Sequence, residues 1–159
     1  MDVKHAKLPK EMKAICSWQP WAHIIIKKGK RVENRPRNSL HRGIIVIHAT
    51  PRKSNIKFDK DCEFALKEYG VKVDRNDVPE RAIVGFAIME DVITKKPTDP
   101  KLAKWYQKGL FGYVLSNAVA INDPVECKGE RGVWTIKGKP LQDALKQLTP
   151  QQRKKLGLE

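Results

Sequence analysis

Aromatic and amide side chains crowd together early in the chain. Trp18, Gln19 and Trp21 fall within four residues of one another. Indole rings offer flat faces on which bases stack, at about 1–3 kcal/mol per base. A carboxamide reads a Watson–Crick edge with one donor and one acceptor group. The trio therefore indicates a site for a base, against the alternative that the indoles fill the core and Gln19 caps a helix or is solvated.

A run of charged residues follows the aromatic trio. Lys30, Glu33 and Arg35 lie in a segment that is expected to be extended, and Arg42 comes shortly after it. Guanidinium groups bind phosphate bidentately, although they also serve as solvated charges on strand edges. Side chains of a strand alternate between faces, so Glu33 and Arg35 are predicted to share a face opposite Lys30. A direct Lys30–Glu33 ion pair is then expected only if a bulge intervenes.

Two further polar residues stand in apolar or turn-like surroundings. His48 lies near the end of the apolar run 44–49, where a buried imidazole needs a partner, either in a site or in the core. Lys128 precedes a turn that contains Gly129 and Gly132. Such a turn can present backbone N–H groups to a ligand, and a plain hairpin explains it as well.

Charge and composition narrow the class of partner. The net charge is +14, and residues 1–53 carry +10 of it, so the basic excess overlaps the aromatic trio. A field of this size attracts polyanions, which predicts a nucleic acid or nucleotide partner. The three cysteines are scattered and the four histidines show no ligand spacing, so we predict reduced thiols and no metal or cofactor. With no apolar signal stretch and no membrane-spanning run, the sequence predicts a cytoplasmic protein.

The pattern along the chain predicts one domain over residues 12–159, preceded by a basic flexible arm over residues 1–11. A strand over 13–17 runs into a helix near Pro20, and the apolar run 44–49 predicts a central strand buried on both faces. Asp59 is expected to cap a helix whose inward face includes Leu66, and the tail from Pro140 forms a C-terminal helical extension. Five or six strands with few short helices favour an α+β fold with a curled sheet or small barrel.

Taken in order, these segments resemble the ASCH domain, a member of the PUA-like superfamily named for its homology to a transcriptional coactivator. The likeness covers roughly residues 13–136 and is carried by an ordered set of motifs: Ser17-Trp18-Gln19-Pro20-Trp21-Ala22, the K-x-x-E-N-R element from Lys30 to Arg35, the stretch from Arg42 to Ala49, and the segments 82–87, 111–115, 124–129 and 132–134. The resemblance implies a small mixed β-barrel of five to six strands with peripheral helices. It also implies RNA binding in a cleft lined by Gln19, Trp21, Lys30, Glu33, Arg35 and His48.

One branch that resembles this fold is enzymatic and removes the acetyl group from N4-acetylcytidine with a lysine, a threonine and a glutamate. Lys30 matches the lysine, Glu33 occupies the threonine position, and no later glutamate matches. Another branch is linked to RNA cleavage, in which Lys30 and Arg35 would stabilise a pentavalent phosphate.

We therefore predict an RNA- or nucleotide-binding protein first. The alternatives are a hydrolase, either a nucleoside amidohydrolase or a ribonuclease, with Lys30 and Glu33 as its catalytic residues, and a protein-interaction module. In the amidohydrolase a desolvated lysine would act as the base toward a modified nucleoside.

Overall fold

A computed structural model describes residues 8–158 of the chain. It contains six strands and five helices in the following order: β1 (Glu11–Trp18), α1 (Trp21–Lys27), β2 (Val32–Arg35), β3 (Gly43–Thr50), α2 (Asn55–Tyr69), β4 (Ala82–Ile93), α3 (Pro100–Ala103), β5 (Phe111–Glu126), β6 (Trp134–Lys137), α4 (Lys139–Lys146) and α5 (Pro150–Lys155). No helix among the described residues is long and apolar enough to cross a membrane.

The strands form one mixed sheet in the order β2-β5-β4-β3-β1-β6. β1 runs parallel to β3, and the other neighbouring strands pair antiparallel. The predicted α+β class is therefore confirmed. The sheet is open, however, and does not close into the expected barrel. Its two edge strands, β2 and β6, are four residues long and pair only with their inner neighbours, so no ladder joins the edges in the described part of the chain.

The predicted central strand over 44–49 is β3, which lies between β4 and β1. Because side chains alternate along a strand, neighbours on β3 enter opposite cores. Val46 packs with residues of α4 on one face of the sheet, and Ile47 packs with residues of α1 on the other. Coverage on both faces explains why this stretch of sequence is continuously apolar.

Helix α2 lies beside α1 and β2. Ala65 of α2 shares a buried cluster with Ile24 of α1 and Val32 of β2. The helix begins at Asn55, earlier than predicted, because the Ser54 hydroxyl caps it by accepting a hydrogen bond from the backbone N–H of Lys57 at 3.0 Å. Leu66 was expected to face inward but is 55% exposed. Gly70 ends the helix in the left-handed conformation, with φ +66°.

The N-terminal boundary of the folded part lies earlier than residue 12. Of the predicted arm, residues 1–7 fall outside the described part of the chain. Leu8 packs against the core on the α4 side of the sheet, and the Gln142 amide donates a hydrogen bond to the carbonyl of Pro9 at 2.8 Å. Residues 8–10 are thus held by the domain.

Candidate functional site

The turn between β1 and α1 is fixed by Gln19. Its Nε2 donates to the Pro79 carbonyl at 2.8 Å, and its Oε1 accepts from the His23 backbone N–H at 3.0 Å. The side chain is 1% exposed. Both ends of the amide are therefore engaged with backbone, and the structure gives Gln19 the role of holding the turn instead of the predicted role of reading a base.

Lys30, Glu33 and Arg35 form a compact group, which we call the charge cluster. Lys30 Nζ lies 2.9 Å from Glu33 Oε1 and donates to the Val32 carbonyl at 2.6 Å. Arg35 Nη1 lies 3.6 Å from Glu33 Oε2 and donates to the Cys16 carbonyl at 2.6 Å. Lys30 and Glu33 are each 7% exposed. Two cations thus share one buried carboxylate.

The Lys30–Glu33 contact corrects the expectation that these side chains face apart. Strand alternation applies only within β2, which begins at Val32, whereas Lys30 precedes it and follows Gly29, whose φ is +76°. The backbone is not yet extended at Lys30, so the Lys30 side chain reaches the Glu33 carboxylate without a bulge in the strand. The predicted common face for Glu33 and Arg35 agrees with their shared contact.

Glu33 is charged despite its burial. Burial alone would raise the pKa of this carboxyl, but the charges of Lys30 and Arg35, with hydrogen bonds from Lys30 and the Ser17 hydroxyl, lower its pKa below the ordinary value. The charge cluster therefore consists of one carboxylate and two cations and keeps a net positive charge. Ser17 is a member of this site that the sequence analysis missed, because a lone serine at a strand end carries no distinctive signal.

The two indoles have different surroundings. Trp18 is 42% exposed, and Lys53 Nζ and Lys57 Nζ lie 5.7 and 6.0 Å from its ring centroid. Trp21 is half-buried, its Nε1 donates to Asp61 Oδ2 at 3.2 Å, and Lys30 Nζ lies 5.8 Å from its ring centroid. Trp18 therefore presents an aromatic surface to solvent between lysines, whereas Trp21 links the charge cluster to α2.

Helix α2 supplies residues that sequence reasoning missed. Asp61 accepts from Lys57 Nζ at 2.9 Å as well as from Trp21, and it is 9% exposed. The i, i+4 spacing of Lys57 and Asp61 is a readable signal for an ion pair on a helix. Nothing in the sequence shows that this pair faces the indoles, because that depends on how α2 packs against α1.

His48 lies away from the charge cluster. Its Nε2 is 2.7 Å from the Cys127 carbonyl, its Nδ1 is 3.4 Å from Cys16 Sγ, and it is 1% exposed. Cys16 and Ser17 are neighbours on β1, so their side chains lie on opposite faces of the sheet. His48 is on the Cys16 face and the cluster is on the Ser17 face. Both ring nitrogens of His48 therefore have partners within the core, and His48 is not the predicted member of the cleft.

The loop beyond β5 covers His48 closely. A Cβ at Gly129 would lie 2.5 Å from Cys16 Sγ and 2.8 Å from His48 Cε1, so only glycine allows the loop this approach. Lys128 is exposed in the same loop, on the His48 side of the sheet. The predicted approach of a glycine backbone does occur here, but toward His48.

Arg42 is exposed in the loop before β3 and is also separate from the cluster. Its guanidinium donates to the Ser39 and His41 carbonyls at 3.0 and 2.8 Å and lies 3.8 Å from Asp91 Oδ1. Of the nine predicted site residues, the structure brings together Trp21, Lys30, Glu33 and Arg35, with Gln19 holding the turn beside them, and Trp18 is linked to Trp21 through Lys57 and Asp61. Among the described residues, no group of three or more His, Cys, Asp and Glu side chains is placed to hold a metal ion.

Replacement of Lys30 by methionine should leave Glu33 with one cation fewer inside the protein. We expect Lys30→Met to lower the free energy of unfolding by about 3 kcal/mol, as for a broken buried ion pair. The double variant Lys30→Met/Glu33→Gln should recover part of that loss, because no unpaired carboxylate remains. Chemical denaturation measures both values.

The exposed pair of Lys139 and Asp143 provides the control, since Lys139 is 84% exposed. Lys139→Met should change stability by less than about 1 kcal/mol. Equal stability of the single and double Lys30 variants would contradict the account of the charge cluster.

His48 should make stability depend on pH. Burial lowers the pKa of His48, opposed by its hydrogen bond with the Cys127 carbonyl, so the folded protein resists its protonation. The unfolded chain binds that proton below about pH 6.5. The stabilisation is complete above that pH and should fall with decreasing pH, by up to about 1.4 kcal/mol per pH unit for one group. Denaturant titrations at several pH values test this.

His48→Gln should flatten that slope. His23 needs its own variant, because burial lowers its pKa too and its effect has the same sign. An unchanged slope in His48→Gln would mean that His48 is not the group responsible.

Comparison with known proteins gives a curated relative from two organisms and a set of solved structures. No family model matches the chain. Over 139 residues, or 85% of its length, the chain is 26% identical to Activating signal cointegrator 1 from Homo sapiens and 25% identical to the protein of the same name from Mus musculus. The chain spans about a quarter of these relatives, covering 24% of each.

Solved structures of an ASCH protein from Zymomonas mobilis are also similar to the chain. One has a TM-score of 0.46 at 15% identity and covers 92% of this chain and 93% of its own. A mutant form has a TM-score of 0.48 at 15% identity, with 84% and 94% covered. The sequence likeness to Activating signal cointegrator 1 agrees with a family named for homology to a transcriptional coactivator, and the predicted resemblance of this chain to the ASCH family is confirmed.

Proposed function

We propose that this protein binds RNA or a nucleotide at the surface formed by Trp18, Trp21 and the charge cluster. The observation that carries the proposal is the combination of an exposed indole with a cluster that keeps a net positive charge. A nucleotide is a flat base attached to an anionic phosphate, so it complements both parts. The resemblance to the ASCH family and the net charge of +14 support the same ligand class.

In this proposal the base stacks on Trp18, the exposed indole. Arg35 supplies the phosphate contact, because its side chain is 20% exposed while its other contacts fix its position. Lys53 adds a charge beside Trp18 and makes no ion pair among residues 8–158. Lys30 and Glu33 are both buried, so they act as positioning residues for the groups that contact the ligand.

The dependence of binding on salt tests the proposal. Fluorescence anisotropy with a labelled single-stranded RNA should show an affinity that falls as salt is added, because bound phosphates release counterions. Trp18→Ala should weaken binding by roughly 1–3 kcal/mol through lost stacking. Lys53→Ala should weaken it less and lower the salt slope by about 1.

Lys137→Ala is the matched control for Lys53→Ala. Lys137 is exposed on β6 and pairs with Glu11 at the start of β1, whereas Trp18 ends that strand. Binding of RNA that is independent of salt, or equal losses from Lys53→Ala and Lys137→Ala, would count against the proposed surface. Failure to bind any RNA or nucleotide would refute the function itself.

A nucleoside amidohydrolase is the second candidate, and the 2.9 Å contact of Lys30 with Glu33 is the observation that favours it. The closeness of these two residues is a requirement of the hydrolase, but the hydrogen bonds that Lys30 donates argue for binding over catalysis. Lys30 Nζ donates to Glu33 and to the Val32 carbonyl, so it is held as a hydrogen-bond donor instead of a base.

Incubation with N4-acetylcytidine separates these two candidates. We expect no more acetate from the wild-type protein than from Lys30→Ala, as measured by chromatography, because the paired lysine cannot take a proton from water. Release of acetate by the wild type that Glu33→Gln abolishes would establish the hydrolase instead. Analysis of an intact RNA under the same conditions tests the ribonuclease in the same way.

A further inference from the structure

Aromatic side chains continue beyond Trp21 along α2. The Trp21 and Phe64 ring centroids are 6.4 Å apart in an edge-to-face contact, and those of Phe64 and Tyr69 are 5.8 Å apart in another. Phe64 is 49% exposed and Tyr69 is half-buried. Apolar side chains that join into a contiguous exposed patch often mark an interaction site. The contacts therefore describe a row of rings, in contact with each other, that reaches solvent.

Lysines accompany this row at both ends. Lys57 lies 6.0 Å from the Trp18 centroid at the start, whereas Lys30, 5.8 Å from the Trp21 centroid, is buried and only supports that ring. Beyond Tyr69, whose centroid is 4.2 Å from that of Trp105, Lys104 lies 4.9 Å from the Trp105 centroid. Cations beside aromatic faces are the arrangement that follows a phosphate backbone while its bases stack.

The geometry of α2 sets the length of the row. Lys57, Asp61 and Phe64 are spaced i, i+4 and i+7, so they lie on one face of the helix. From Lys57 to Phe64 the helix rises about 10 Å, and Tyr69 lies about 120° round the helix from this face. Successive nucleotides of a stacked strand rise roughly 3.4 Å, so this face has room for about three nucleotides.

Two acidic residues of α2, Asp61 and Glu68, decide which part of the row is more favourable for an anion. Asp61 is already bound by Lys57 and Trp21, which leaves it little capacity to repel a phosphate. Glu68 lies beside Tyr69 and, after burial, is the second cause of the raised pKa of that phenol. The stretch from Trp18 to Phe64 is therefore the more favourable part for an anionic strand.

We infer that Trp18, Trp21 and Phe64, with Lys57, form a binding track for the continuation of a single-stranded nucleic acid, which we call the α2 track. This inference rests on the proposed function and specifies its ligand as an oligonucleotide, not a mononucleotide. A single strand is required because duplex bases are already stacked on each other and cannot reach aromatic side chains.

A length series of oligouridylates, from UMP to an octamer, tests the α2 track with the full chain. Affinity for the wild-type protein should rise with length. Phe64→Ala should lower the affinity for the octamer at least about fivefold, as expected for the loss of one stacking ring. It should leave the affinity for UMP unchanged. Phe64→Tyr keeps an aromatic ring at this position and should restore most of the octamer affinity.

Leu66→Ala is the matched control. Leu66 is also exposed and apolar, at 55%, and it is nine residues from Lys57, which places it on the opposite side of α2. It should bind both ligands like the wild type. Phe64 and Leu66 are both exposed, so neither truncation removes a buried core side chain.

Each other outcome overturns a defined claim. An unchanged octamer affinity in Phe64→Ala, with binding still lost in Trp18→Ala, refutes the α2 track and keeps the proposed function. Equal losses in Phe64→Ala and Leu66→Ala also refute the track. Displacement of the octamer by polyglutamate at matched charge would show that the face binds acidic chains in general. Absence of binding to every oligouridylate and to UMP refutes both proposals.

Discussion

Glu33 is the carboxylate on which the arrangement of the site depends. A lone buried carboxylate is unfavourable, and here two cations and a serine hydroxyl compensate its burial. Each of these partners comes from a different part of the chain: the turn before β2, the end of β2 and the end of β1. The pairing of Glu33 therefore fixes three backbone segments relative to one another. It also holds Arg35 with part of its guanidinium at the surface.

The packing around this group gives it a rigid support. Gln19 ties the β1–α1 turn to the backbone at Pro79, and Ile24 and Val32 bury their side chains with Ala65 of α2. Sites held by neighbouring contacts lose less conformational entropy when a ligand binds. The same packing brings Lys57 and Asp61 next to the indoles. As a result, the surface offered to a ligand combines groups from α1, β2 and α2, with the end of β1.

Under the proposed function, burial separates the groups that would contact a ligand from those that would support them. Lys30 and Glu33 have their polar atoms engaged within the protein, whereas Trp18, Lys53 and part of Arg35 face solvent. A site of this kind is preorganised for recognition, because its charges are oriented before the ligand arrives. Catalysis by Lys30 would require it to give up two good hydrogen bonds. The geometry is thus better suited to binding than to proton transfer.

The sequence by itself determined the family resemblance, the α+β class and the central position of β3, since these follow from ordered motifs and from runs of apolar residues. It also identified Lys30, Glu33 and Arg35 as one group, because they lie within six residues. The expected barrel, the inward Leu66 and the separation of Lys30 from Glu33 were wrong. Local patterns do not reveal how a sheet curves, which way a helix is rotated, or where a strand begins.

Only the tertiary structure decided which polar residues meet. His48 and Ser17 both lie in strands that the sequence predicts, yet the structure places them on opposite faces of the sheet. A shift of one residue in register reverses the face, and the sequence does not determine the register. The tertiary structure also brought Asp61 and Phe64 to Trp21 across 40 and 43 residues of chain, through a packing contact that leaves no periodic signal. Residue types and short spacings are written in the sequence, whereas contacts between distant segments depend on the balance of burial over the whole domain.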